Sequence, residues 1–180
     1  IDESPEAIHD LSYFESNKYM ASIKEGDNLE LLFQIDGLKK TTGRFNEVSV
    51  QFDVPNNSDS SMLEVVISAA SIFTDNKMRD ESLISSDYFD TEQFPDIHFI
   101  SKEVVVADTC IEASGELLFL GKSSELTIPF NILGEGKNND DEDVYIVNGR
   151  FDFDRTKYGM ISEKGIGDIV YVSFYCEFVK

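Results

Sequence analysis

The sequence predicts an all-β fold: an antiparallel sheet of about eight strands, closed into a barrel or folded into a sandwich, with one short helix. Three observations carry this. Apolar side chains recur at every second position in about eight separate stretches, the period of a half-buried strand. The connections between those stretches suit hairpins and meanders, which join antiparallel strands. One segment, near 78–87, breaks the alternation and carries helix-start residues instead.

Residues 1–10 (IDESPEAIHD) are acidic, contain Pro5 and lack periodicity, and are read as a flexible leader ahead of a single domain over 11–180. Tyr13–Ile23 holds a short strand. Leu29, Leu31, Phe33 and Ile35 alternate with Glu30, Gln34 and Asp36; Val48, Val50, Phe52 and Val54 alternate with Glu47, Ser49, Gln51 and Asp53. Pro55-Asn56-Asn57-Ser58-Asp59 makes a turn, and Leu63, Val65 and Ile67 continue the apolar face. Asp75 and Asn76 are N-cap residue types, and Asp80 and Glu81 suit a first helical turn. Strands resume after Pro95 at Ile97, Phe99 and Ser101, then at Ile111, Ala113, Gly115, Leu117 and Phe119. A turn at Gly121–Ser124 leads to Leu126, Ile128, Phe130 and Ile132. Residues 134–143 (GEGKNNDDED) read as a loop. Tyr145, Val147, Gly149, Phe151 and Phe153, and finally Val170, Val172, Phe174, Cys176 and Phe178, complete the set.

The chain has 180 residues, about one domain's worth. Its 15 basic and 35 acidic residues give a formal net charge of −20, which repels nucleic-acid phosphates, so no nucleic-acid partner is expected. With 14 Phe and 7 Tyr it is too apolar for disorder. No run of about 18 apolar residues occurs, so no membrane-spanning helix is expected. The chain begins at Ile1, not Met, which is read as a sign that a preceding stretch has been removed.

Motifs for catalysis are missing from the sequence: there is no Gly-x-Ser-x-Gly, His-Glu-x-x-His, Walker A or Gly-x-Gly-x-x-Gly. His98 is out of phase with Ile97 and Phe99 and should face outward. Asp140–Asp143 lack the spaced order and turn glycine of a Ca²⁺ loop, and read as a solvated acidic turn. Neither a metal nor an organic cofactor is expected, and no catalytic residue is assigned. Cys176 is in phase with Phe174 and Phe178 whereas Cys110 is out of phase with Ile111, so no disulfide is expected. Arg79-Asp80 stands out because Arg79 is one of only four arginines. It fits a structural Arg–carboxylate pair on a capped helix, or a polar ring that grips a ligand headgroup through the planar guanidinium.

The run Ala70-Ser71-Ile72-Phe73-Thr74-Asp75-Asn76-Lys77-Met78-Arg79-Asp80-Glu81-Ser82-Leu83, then Tyr88-Phe89-Asp90, then Phe94-Pro95-Asp96-Ile97-His98-Phe99-Ile100-Ser101, resembles the signature of the YceI-like family. Gly43-Arg44-Phe45, Gly115-Glu116-Leu117 through Gly121, Tyr158-Gly159-Met160 and Gly165-Ile166-Gly167-Asp168 resemble further family fragments in the right order, over about residues 28–179. Ser82 stands where the family usually has His. The resemblance implies a lipocalin-like antiparallel barrel with a helix at one end, a long tunnel that takes a polyisoprenoid or other long-chain lipid, a periplasmic or secreted location, and often a homodimer. The chain contains no Trp, so the Gly-x-Trp motif of lipocalins proper is absent.

Burying an isoprenoid tail is favourable by about 25 cal/mol per Å², on the order of 10 kcal/mol gross for several hundred Å². The expected inner wall is Leu31, Phe33, Phe52, Ile67, Phe99, Leu117, Phe119, Phe130, Phe151, Phe153 and Phe174. Ser71, Asn76, Arg79 and Asp80 are the polar candidates. Gly115 leaves room for a tail or eases strand curvature. The same apolar pattern also fits a non-catalytic structural or interaction barrel whose core is filled.

Overall fold

The computed structural model describes residues 11, 14–23, 28–55 and 61–180. The expected leader at 1–10 and most of the 55–59 turn lie outside them. The strands are β1 (Asn17–Ser22), β2 (Leu29–Gly37), β3 (Thr41–Phe45), β4 (Val48–Val54), β5 (Met62–Ser68), β6 (Ile72–Phe73), β7 (Asp96–Val106), β8 (Ile111–Phe119), β9 (Lys122–Lys137), β10 (Asp143–Asp154) and β11 (Ile166–Val179), and the alternating stretches supply all but β3 and β6. An α-helix, α1, spans Lys77–Ile84. The strands form one antiparallel sheet in the order β1-β4-β5-β7-β8-β9-β10-β11-β2-β3-β6.

Eleven strands replace the eight expected, for a geometric reason. Only Asn46 and Glu47 separate β3 from β4, and a 3₁₀ turn, Ala69–Ser71, separates β5 from β6. Across this corner the pairing continues: Phe45 opposes Ile72, Val48 opposes Ile67, and the Asn46 and Ser68 amides donate to the Ser71 and Glu47 carbonyls at 3.0 Å each. Each pair is therefore one strand bent at a corner, and β3 and β4 connect opposite ends of the sheet order. The sheet curls into a barrel-like wall.

β1 is an added piece. It pairs with β4, and Asn28 ties its end to β11: the Asn28 side chain accepts from the Ser22 amide (2.9 Å) and donates to the Glu177 carbonyl (2.7 Å). The inward face is almost wholly apolar. Val50, Phe52, Phe99, Ala113, Phe119, Phe130, Ile132 and Cys176 are all buried.

Three expectations change. The loop expected over 134–143 shrinks to the turn at 138–142: β9 runs to Lys137 and β10 begins at Asp143. Gly134, at φ 138°, sits where the β9–β10 register shifts, so the strand continues past a glycine-rich stretch by bulging. Asn138 then makes the turn, its side chain accepting from the amides of Asp140 (3.0 Å) and Glu142 (2.9 Å). The helix ends at Ile84, short of 87, with the Ser85 amide closing on the Ser82 carbonyl. Gly115 gives no room to a tail. A Cβ there would meet the Ile100 carbonyl and lie 2.6 Å from Ser101 Cα, beside the bulge in β7. The close approach of that strand's backbone requires the glycine.

Candidate functional site

Two chambers occupy the barrel axis. The larger, about 280 Å³, lies under α1; the smaller, about 80 Å³, lies deeper. Leu31, Ile67, Leu117 and Phe151 line both, so they stand as a neck between two chambers that share one apolar wall. Phe33, Phe119 and Phe153 line the outer chamber, and Phe52, Phe99, Phe130 and Phe174 the inner one. All eleven apolar candidates thus border the bore.

At the mouth, Phe89, Phe119, Phe153 and Tyr158 pack edge-on, with Phe119 5.4 Å from Phe89 and 5.5 Å from Tyr158 between ring centroids. Burial pushes the Tyr158 hydroxyl above the usual tyrosine range. At the far end the bore stops. Phe52 and Phe178 line the inner chamber, and Phe14, Tyr19 and Tyr145 stack behind them. The long tunnel that the family resemblance implies is therefore closed at its deep end by aromatic side chains.

The polar candidates separate. Arg79 lines the outer chamber, whereas Ser71, Asn76 and Asp80 do not. The Ser71 hydroxyl donates to the Ser68 carbonyl (2.7 Å) and accepts from the Glu47 amide (3.1 Å), holding the β5–β6 corner. Asn76 is the helix N-cap, accepting from the Arg79 amide at 3.0 Å. Asp80 accepts from the amide (3.0 Å) and hydroxyl (2.6 Å) of Thr74. The capped helix of the structural reading is present, with Asn76 as its cap, but the expected Arg–carboxylate pair is replaced by Thr74, which bonds both Asp80 and the Arg79 guanidinium, and Arg79 also lines the outer chamber.

Sequence reasoning missed much of the rim. Lys39, Ser82, Phe89, Met160 and Arg155 also line the outer chamber. Phe89 lies inside the quoted Tyr88-Phe89-Asp90 fragment. Arg155 shares with Arg79 the rarity that singled Arg79 out. It is 2% exposed, and its guanidinium donates to the carbonyls of Gly167 (2.9 Å) and Ile161 (3.0 Å). A 3₁₀ turn, Arg155–Tyr158, presents it, capped by Asp154, whose carboxylate accepts from the Thr156 amide (2.9 Å) and hydroxyl (2.6 Å). These bonds hold the Asp154 carboxyl below its ordinary pKa.

His98 faces outward, its Nε2 2.8 Å from Glu64 Oε1. Both cysteines are free, and burial raises the Cys176 thiol pKa. A more voluminous concavity, about 730 Å³, is an open groove on the outer face beside Arg44, Arg150 and Tyr171. It is wide but shallow, and the enclosed apolar space is in the bore.

The family model for the YceI-like domain matches residues 22–178. A UPF0312 protein of Staphylococcus aureus (strain MRSA252) is 32% identical over 141 residues, 76% of this chain and 80% of that protein. A UPF0312 protein of Photorhabdus laumondii is 33% identical over 90 residues, so the chain spans about half (46%) of that relative. The match to a Pseudomonas fluorescens UPF0312 protein, 31% identical over 125 residues, takes in 64% of this chain and 63% of the relative. Among solved structures, Burkholderia cenocepacia BcnA superposes with a TM-score of 0.73 at 18% identity, over 86% of this chain and 98% of that one. A polyisoprenoid binding domain from Saccharophagus degradans, implicated in plant cell wall breakdown, superposes with a TM-score of 0.65 at 14% identity, over 92% of this chain and 99% of that one. At these identities the superpositions establish the shared fold. The apolar bore, its helix-bearing mouth and the matched span agree: the chain belongs to the YceI-like family.

Proposed function

We propose that the protein binds a polyisoprenoid or other long-chain amphiphilic lipid, and carries or stores it, with the tail in the bore and the headgroup at the Lys39, Arg79 and Arg155 rim. The observation that carries this is the continuity of apolar wall from that rim, through the Leu31–Ile67–Leu117–Phe151 neck, into the inner chamber. A hydrocarbon tail needs burial and no directional partner, which this wall supplies. The description of the Saccharophagus domain as polyisoprenoid binding supports the same reading. The role is one of binding, not catalysis. No helix among the described residues is long and apolar enough to cross a membrane. We extend the proposal, on the family resemblance, to a periplasmic or secreted homodimer.

Native mass spectrometry after detergent-free purification tests this. A bound amphiphile of a few hundred daltons or more, released by organic extraction, is the expected result. A protein that purifies empty and takes up no prenol or fatty acid when offered one overturns it.

A further inference from the structure

We infer that Phe14, acting through Phe52, is a length stop that limits the buried tail to roughly three isoprene units; this rests on the lipid-binding reading above. The floor of the inner chamber is Phe52, 1% exposed, with Phe178 beside it at 6.0 Å between ring centroids. Behind Phe52 stands Phe14, edge-on at 5.2 Å and itself 4% exposed. Phe14 is held in turn by Tyr145 at 4.7 Å and Tyr19 at 5.3 Å, and the Tyr19 hydroxyl donates to the Glu15 carbonyl at 2.6 Å. Phe14 and Tyr19 lie on the stretch before residue 22, where the family match begins. The bore is thus closed from behind by a segment that lies outside that match.

The size of the space gives the limit. An apolar protein cavity of about 150 Å³ accommodates benzene. At that density chambers of 280 and 80 Å³ hold roughly 15 carbons, about three isoprene units. Carbons beyond that number remain outside the mouth and gain little from burial. Affinity therefore rises with tail length up to a plateau, and the plateau marks the stop. Removing the Phe14 ring frees space into which Phe52 can swing, which deepens the bore by about one unit.

The test measures dissociation constants for geraniol, farnesol and geranylgeraniol (10, 15 and 20 carbons), by displacement of a fluorescent fatty acid from the full chain and from Phe14→Ala. The expected result for the natural sequence is a gain of about tenfold or more from 10 to 15 carbons and less than threefold from 15 to 20. In Phe14→Ala the affinity for geraniol stays within twofold, while the gain from 15 to 20 carbons becomes about tenfold. A merely destabilised variant loses affinity at every length alike, so the geraniol value separates the two. Where Phe14→Ala does not fold, Phe14→Leu, which keeps an apolar group but no ring, decides. A folded variant with an unchanged length profile overturns the stop, as does a natural protein whose affinity keeps climbing past 15 carbons. A natural protein that binds none of the three alcohols overturns the lipid-binding reading itself, and the stop with it.

Discussion

Thr74 and Arg79 are joined twice: the guanidinium donates to the Thr74 hydroxyl at 2.8 Å and to its carbonyl at 2.7 Å. Because Asp80 accepts from the Thr74 amide and hydroxyl, one buried threonine holds two successive residues in the first turn of α1. The helix buries no residue fully, so this clasp is its main polar attachment over the mouth. Thr74→Val keeps the shape and removes the hydroxyl. Hydrogen bonds to charged groups contribute about 1.5–3 kcal/mol each, and the freed side chains re-solvate in part, so a net loss of about 1–2 kcal/mol is expected. Amide hydrogen exchange across 77–84 should accelerate more than exchange in β7 or β8, and bound lipid should exchange faster. Uniform acceleration across the whole chain would show that the clasp is not local.

Ile67 stands at the neck, half-buried and facing both chambers. Ile67→Trp places a larger apolar group there without a charge. Overpacking costs about 1–3 kcal/mol, which a folded domain tolerates, while the constriction should reduce lipid uptake at least tenfold. The chain has no other Trp, so emission from the new side chain reports its own surroundings. Unchanged lipid occupancy with a blue-shifted, buried Trp would falsify the neck.

Gly115→Ala should be disproportionately damaging for the addition of one methyl. The new Cβ meets β7 backbone, which has nowhere to withdraw because β7 is paired on both sides. A loss of about 3 kcal/mol or more, or about 6–12 °C in Tm for a protein of this size, is expected from thermal denaturation followed by circular dichroism. Gly134→Ala offers the contrast, since a Cβ there meets nothing within 4 Å and only its positive φ resists substitution.

What could be read from the sequence follows from which signals are periodic. The long strands were legible because one face of each is buried: Leu29-Leu31-Phe33 and Val48-Val50-Phe52 alternate for that reason. β3 and β6 were not, since Thr-Thr-Gly-Arg-Phe carries no alternation and Ile72-Phe73 is too short to have a period. The bore's wall was legible for the same reason as the strands. Its rim was not: Lys39 lies between β2 and β3, Arg155 on a 3₁₀ turn, and Phe89 in the turns after α1, where no periodicity exists. Nor could alternation say that the deep end is filled, because Phe14 and Tyr19 arrive from a separate segment and look like any other inward residue.

Tyr19 also makes stability depend on alkaline pH. Burial, first, and then the neighbouring Tyr145 raise its pKa above the unfolded value near 10. A raised pKa means that the folded state keeps its proton longer. The associated stability is complete below pH 10 and is lost as pH rises from there toward the folded value, by up to about 1.4 kcal/mol per pH unit. Tyr88, Tyr158 and Tyr175 are shifted the same way, each chiefly by burial, so several groups add to the slope. Urea unfolding at pH 9, 10 and 11 should show falling stability, with Tyr19→Phe reducing the fall between pH 10 and 11. Parallel curves for the two proteins would show that Tyr19 is solvated when folded.

Arg155 gives the sharpest distinction between charge and shape. Its fork reaches three carbonyls, those of Gly167 (2.9 Å), Ile161 (3.0 Å) and Ile166 (3.5 Å), while the nearest carboxylate, Asp168, lies at 3.7 Å and is 44% exposed. The cation is therefore held mainly by backbone dipoles, which close the 161–167 segment over the end of β10. A lysine in its place keeps the charge but cannot present donors in two directions at once. Arg155→Lys should thus lose about 2–4 kcal/mol, close to the loss in Arg155→Met, because neither side chain can bridge the Gly167 and Ile161 carbonyls from its buried position. Thermal denaturation gives the sum, about 4–16 °C at roughly 2–4 °C per kcal/mol. Hydrogen exchange at 161–168 locates it. A lysine variant as stable as the natural protein would mean that the charge alone suffices and that the planar fork is incidental to closing the mouth.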